Sequence, residues 1–133
     1  YRHMPLNHVM HVEDDPDIRA IAELALVTVG GLDITQCATG AECLTAIEQR
    51  TPDLILLDVM MPGLDGPETL RRIRTLPGMS EVPAVFMTAR AQPGEISEYE
   101  ALGAIGVIPK PFDPLTLADQ VRQLWDQAQS AAG

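Results

Sequence analysis

Positive charge is scarce in this chain and lysine almost missing. Eight arginines and a single lysine, Lys110, stand against 19 acidic residues, for a formal charge of −10 over 133 residues. A field of that sign repels phosphate backbones, so no direct nucleic-acid binding is expected. Long apolar runs are missing as well: none approaches the ~20 residues that a membrane-spanning helix needs. The first residues hold no extended apolar stretch of the secretory type. The expectation is a cytoplasmic protein with no membrane contact. Cysteine is limited to Cys37 and Cys43, without C-x-x-C spacing or ligand clustering, so both read as small buried or half-buried residues in a reduced environment. No internal repeat, low-complexity tract or linker is visible, and one domain is expected. The lone lysine stands out. A chain that otherwise uses arginine keeps, at one place, a compact ammonium suited to a point contact with an oxygen.

What the chain does have is alternation. Residues 7–12 (NHVMHV) predict a strand that ends in Glu13, Asp14 and Asp15. Pro16 suits the first helical position, with Asp15 as N-cap and Asp17 complementing the helix dipole. Ile18, Ile21, Ala22, Ala25 and Val29 then recur at helical spacing until Gly30-Gly31. A second strand over 34–38 leads to Thr39-Gly40-Ala41-Glu42, a capping box that opens a helix to about Arg50. Leu54 to Leu57 form a fully apolar run ending in Asp58, the pattern of a strand buried on both faces. Gly66-Pro67 opens a third helix, with Arg71, Arg72 and Arg74 read as a solvated face. Residues 82–87 predict a fourth strand closed by Thr88, and 94–102 a fourth helix. A short fifth strand over 106–108 leads to Lys110, and Asp113-Pro114 opens the last helix.

Five strand–helix repeats call for a parallel sheet covered on both faces. In such a sheet the carboxyl ends of all strands point to one edge, where binding crevices form. Glu13, Asp14, Asp58, Thr88 and Lys110 all lie at those ends. Three carboxylates in one crevice repel and raise one another's pKa. A hard divalent cation relieves that repulsion, and a few carboxylates with waters suit Mg²⁺. Such a cation would also neutralise an incoming phosphoryl group. A hydroxyl and an ammonium complete the donors that phosphoryl transfer needs.

Four separated motifs, V-E-D-D-P-D-I-R, L-L-D-V-M-M-P-G-L-D-G, F-M-T-A-R and P-K-P-F, occur in that order. Over about residues 7–128 the chain resembles the receiver domain of two-component response regulators, most closely the stand-alone, chemotaxis-regulator-like type. The resemblance implies an α/β fold, a five-stranded parallel sheet in a doubly wound, flavodoxin-like (βα)5 sandwich. It implies a phosphorelay switch and not a dedicated enzyme, with self-catalysed phosphotransfer and autodephosphorylation. Asp58 would be the phosphoacceptor. Asp14 would bind Mg²⁺ directly, Glu13 through water, and Met60 through its backbone carbonyl. Thr88 would donate its hydroxyl to the phosphoryl group and Lys110 would pair with a phosphoryl oxygen. The Lys110–Pro111 bond would be cis. The implied partners are a histidine kinase or histidine phosphotransfer protein and a downstream effector that the sequence does not identify.

The chain departs from the pattern at Val107, where members of this family often carry an aromatic that reorients on activation. The signal is therefore expected to run through the backbone after the fourth strand and through the fourth helix, where Tyr99 is the nearby aromatic. The fourth and fifth helices carry Glu95, Glu98, Glu100, Asp119 and Asp126, opposed only by Arg122, which favours a monomer. Residues 1–6 are expected to be a tag remnant or frayed end, 7–129 the receiver, and 130–133 frayed. Other readings fit the residues less well. A Mg²⁺-dependent phosphohydrolase with an aspartyl nucleophile would want a second aspartate where Met60 stands. A receiver used without phosphorylation, purely for interaction, is disfavoured by the complete set of pocket groups.

Overall fold

The structure, a computed structural model, describes residues 4–90 and 92–132. Its strands are β1 (His8–Val12), β2 (Asp33–Cys37), β3 (Leu54–Asp58), β4 (Ala84–Thr88) and β5 (Ala104–Pro109). All pair in parallel, in the order β2-β1-β3-β4-β5. The helices are α1 (Pro16–Glu23), α2 (Gly40–Gln49), α3 (Gly66–Arg74), α4 (Pro93–Ala101) and α5 (Leu117–Ala132). This is the doubly wound sandwich expected, and the strand order reverses between β1 and β3, which opens a crevice above their carboxyl ends.

Strand alternation divides the core. Met10, Val12, Ile55, Leu57 and Phe86 face the helices carrying Cys43, Ile47, Leu70, Ile73 and Tyr99. Val9, Leu54, Leu56, Val85 and Met87 face Leu26, Leu117, Val121 and Trp125 on the other side. Because both faces are covered, every residue of β1, β3 and β4 is buried. The caps read at Asp15 and Thr39 form, Asp15 accepting from Asp17 N and Thr39 from Glu42 N, and the structure adds Asp65 as the cap of α3, accepting from Glu68 N. The Lys110–Pro111 peptide is cis.

Several expectations are corrected. The first helix does not keep one α-helical face to Gly30: α1 passes into a π-helical segment, Leu24–Val29. Ala22 and Ala25 are buried as expected, but the wider turn puts Leu26 in the core in place of Val29, which is exposed, as is Ile21. Gly30 follows because a Cβ there would lie 2.4 Å from Ala118 Cβ. Residues 4–6 are not frayed: Leu6 is buried, Met4 N donates to Gln129, and Trp125 Nε1 donates to the Met4 carbonyl. The last helix begins at Leu117 rather than Pro114, after a turn closed on Asp113, and runs to Ala132 past the expected fraying point. Residues 1–3 and Gly133 lie outside the described residues.

Arg74 leaves the solvated face predicted for it. Its guanidinium is half-buried and donates to the carbonyls of Met79, Val82, Leu102 and Gly103. It thereby ties the end of α3 to the approaches of β4 and β5. Arg71 and Arg72 remain exposed, paired with Glu68, and Arg71 also with Glu98.

Candidate functional site

Asp58 is the last residue of β3, and the chain must turn away immediately behind it. Gly66 permits this: a Cβ at that position would sit 2.3 Å from the Asp58 carbonyl oxygen. The loop between them is closed by Gly66 N donating to Val59 O and Val59 N to Met87 O. Asp58 is therefore held on a rigid mount and is itself 4% exposed.

Register brings the other groups to it. Glu13 follows β1, next to β3; Thr88 ends β4, on the other side of β3. Lys110 N donates to Thr88 O at 2.8 Å, which fixes the start of the lysine side chain. Lys110 Nζ then reaches Glu13 Oε1 at 2.8 Å and Asp58 Oδ1 at 3.1 Å, joining residues 97 and 52 positions apart. Glu13, Asp14 and Asp58 each offer a carboxylate oxygen within 4.8 Å of the other two. Glu13 is buried and its second oxygen accepts from Asp15 N, whereas Asp14 is exposed.

Electrostatics reflect that crowding. Burial first, then the Glu13 charge, raise the Asp58 carboxyl to about 6, against the opposing pull of Lys110. The Asp14 carboxyl is also raised, by desolvation and by its hydrogen bond with Glu13. Burial disfavours the Lys110 ammonium, yet its bonds to Glu13 and Asp58 raise its pKa overall. Three clustered carboxylates, of which Asp14 and Asp58 are shifted upward, offer hard oxygen donors with one exposed member and fit a divalent cation such as Mg²⁺.

The Thr88 hydroxyl is turned to its own loop. It accepts from Arg90 N at 3.1 Å and donates to Arg90 O at 3.0 Å. Beyond it lies a cleft of 390 Å³ lined by Val59, Met60, Thr88, Ala89, Arg90 and Glu95. The Met60 side chain is 78% exposed at its rim. On the other side of Lys110 an apolar hollow is lined by Ile18, Ile21, Ala89, Lys110, Pro111 and Phe112.

Two residues that matter here were not singled out from sequence. Arg19 donates to the carbonyls of Glu13 and Asp14 at 2.8 and 3.1 Å, clasping the acidic turn. A cation in the first turn of a helix opposes the dipole, which is the signal that could have marked it. His11 lies one rung below Glu13 on the same strand face. The Gln36 amide donates to its Nδ1 and to the Arg19 carbonyl. Burial, with the Lys110 and Arg19 charges, lowers His11 to about 4, so it is neutral near pH 7. Tyr99, flagged as a nearby aromatic, packs its ring on Phe86 with centroids 4.7 Å apart and donates to Glu95.

Comparison with known proteins bears on all of this. The family described as the response regulator receiver domain matches residues 9–122. The transcriptional regulatory protein CseB of Streptomyces avermitilis is 38% identical over 126 residues, covering 95% of this chain and 52% of that protein. The DNA-binding transcriptional regulator NtrC of Klebsiella pneumoniae is 39% identical over 120 residues, covering 90% of this chain and 24% of that protein. The chain thus spans about half the length, or less, of these relatives. Among solved structures, the chemotaxis protein CheY4 of Vibrio cholerae superposes with a TM-score of 0.83 at 28% identity, covering 90% of this chain and 98% of that one.

Proposed function

Since this chain belongs to the response regulator receiver family, a phosphoaccepting signal switch of two-component systems, we propose that Asp58 is the residue that accepts the phosphoryl group. The observation that carries the assignment is Lys110 Nζ bridging Glu13 and Asp58 at 2.8 and 3.1 Å. One cation is held against the buried carboxylate where the phosphoryl oxygens would arrive.

A histidine kinase or histidine phosphotransfer protein is the donor. The phosphorus–nitrogen bond to its histidine breaks, the nitrogen keeps the electron pair, and the phosphorus–oxygen bond to an Asp58 carboxylate oxygen forms. The chain's own groups promote this transfer and the later attack of water that returns the carboxylate and releases phosphate. Glu13, Asp14, Asp58 and the Met60 carbonyl would hold Mg²⁺, which supplies positive charge against the phosphoryl oxygens. Lys110 moves from Asp58 to a phosphoryl oxygen. Thr88 leaves the Arg90 backbone to donate its hydroxyl to another. The apolar hollow beside Lys110 is the surface we assign to the donor protein.

The release of Arg90 carries the signal towards α4. Val107 offers no ring to swing, so the readout runs through the loop after β4 and through Tyr99, packed on Phe86 two residues before Thr88. A downstream effector reads the altered α4–β5–α5 surface. Among the described residues no helix is long and apolar enough to cross a membrane, in keeping with a cytoplasmic location.

The test is incubation with acetyl phosphate, or with beryllofluoride, plus Mg²⁺, comparing the wild type with Asp58→Asn. The wild type should take up one phosphoryl group or mimic and the variant none. Equal behaviour of the two proteins rejects Asp58 as acceptor.

A further inference from the structure

The acidic turn that follows β1 is held from behind by one side chain. Arg19, half-buried on α1, donates through Nη1 to the Glu13 carbonyl at 2.8 Å and to the Asp14 carbonyl at 3.1 Å. Its backbone N–H donates to the Asp15 carbonyl at 3.0 Å. One residue thereby serves three successive carbonyls of the turn. Arg19 is itself fixed from β2. The Gln36 amide donates to the Arg19 carbonyl at 2.8 Å and to His11 Nδ1 at 3.1 Å.

The two carboxylates of the turn differ in what holds them. Glu13 is pinned at several points: its N–H donates to Cys37 O at 3.0 Å, and its carboxylate oxygens accept from Asp15 N at 3.1 Å and from Lys110 Nζ at 2.8 Å. Asp14 is exposed, so the direction of its carboxylate depends chiefly on the peptide that carries it. Arg19 grips that peptide.

We propose that Arg19, braced by Gln36, is a positioning residue that sets Asp14 for Mg²⁺; the inference rests on the metal assignment made above for Glu13, Asp14 and Asp58. Two effects of the guanidinium oppose each other. Its charge repels a divalent cation, so on Coulomb grounds alone its removal should tighten binding. Its clasp holds the turn, and loss of such an outer support typically costs about 10–100-fold in metal affinity. The clasp outweighs the charge, because two carbonyl dipoles stand against the guanidinium and offset part of its field. Rigidity also bears on which ion binds. Mg²⁺ demands near-ideal octahedral placement, whereas Ca²⁺ accepts larger and less regular sites. A clasped turn thus favours Mg²⁺ over Ca²⁺.

The test is titration with Mg²⁺ and, separately, with Ca²⁺, read from the amide NMR signals of the carboxylate pocket. Wild type, Arg19→Met and Gln36→Met are compared, each checked for folding by circular dichroism and urea unfolding in chelator. Arg19→Met should bind Mg²⁺ about tenfold more weakly, with Ca²⁺ affinity within about threefold of wild type. Gln36→Met keeps the Arg19 charge and loosens only the brace. It should weaken Mg²⁺ binding by a smaller factor, and it carries the test if Arg19→Met does not fold. Tighter Mg²⁺ binding in Arg19→Met would mean that charge alone counts. Equal weakening for both ions would mean a general loosening of the domain. Either result, or wild-type Mg²⁺ affinity in either folded variant, would overturn the proposal while leaving the metal assignment intact. A wild type that binds no Mg²⁺ would overturn the metal assignment and this inference with it.

Discussion

The Thr88 hydroxyl is closed onto Arg90, accepting its amide at 3.1 Å and donating to its carbonyl at 3.0 Å. Each such neutral bond is worth about 0.5–1.5 kcal/mol net, while a hydrogen bond to a charged group is worth about 1.5–3 kcal/mol. A phosphoryl group on Asp58 can therefore draw the hydroxyl away at little net cost, and both polar groups of Arg90 lose their partner together. In amide NMR spectra, beryllofluoride with Mg²⁺ should shift Arg90 and the residues of α4. Thr88→Val should confine the shifts to the carboxylate pocket. Shifts so confined in the wild type would reject the route through Arg90.

Asp58 should weaken the metal-free fold near neutral pH. Its folded-state carboxyl sits near 6, above the ordinary value of 3.8. The folded state thus holds the proton more tightly than the unfolded one. The penalty is absent below the unfolded value, grows between the two, and is complete above the folded value. At 1.36 kcal/mol per unit it amounts to about 3 kcal/mol as an upper figure. In chelator-containing buffer, Asp58→Asn should exceed wild type in urea-unfolding free energy at pH 7.5, with the gap closing as pH falls to 4. A gap that is constant with pH would exclude this origin. Added Mg²⁺ favours the charged carboxylate and should lower its titration midpoint, read by carbon NMR.

Lys110 is the shared counter-ion of two buried carboxylates, so its removal should be felt in stability as well as in phosphoryl uptake. Lys110→Met should cost about 1–3 kcal/mol at pH 7.5 and raise the Asp58 midpoint further. In a double-mutant cycle with Asp58→Asn, much of that cost should disappear. Additive effects would mean that the two side chains do not interact in solution.

Arg74 should matter far more than its neighbours on α3. Its guanidinium serves four backbone carbonyls, and replacing it with methionine leaves buried acceptors unpaired, at about 1–3 kcal/mol. Arg71→Met and Arg72→Met remove exposed pairs, for which about 0–1 kcal/mol is typical. Denaturant midpoints of the three variants decide this; equal midpoints would contradict the clamp.

The acidic α4–α5 surface should keep the unphosphorylated chain monomeric. Sedimentation velocity at moderate salt should show a single monomer boundary. A stable dimer abolished by substitutions in α4 or α5 would overturn that expectation.

Much of this protein is legible in its sequence because it follows from local rules. Apolar Leu54 to Leu57 mark a doubly covered strand, and Asp15 and Thr39 cap helices through bonds two or three residues long. Alternating strands and helices require a parallel sheet, and a parallel sheet gathers its strand ends. Glu13, Asp14, Asp58, Thr88 and Lys110 could therefore be grouped without coordinates.

The tertiary structure decided what depends on partners far away in the chain. Periodicity assigns a side chain to a face but cannot say which carbonyl it meets there. Arg74 looked solvated and instead reaches Leu102, 28 residues on. Leu6 and Met4 looked like a loose end and pack on the opposite terminus. Val29 had the spacing of a core residue until π-helical widening substituted Leu26. Lys110 was expected at the pocket, but only the fold joins it to both Glu13 and Asp58. Covalent geometry fixes contacts a few bonds apart, whereas contacts across 28 or 97 residues depend on how the whole core packs.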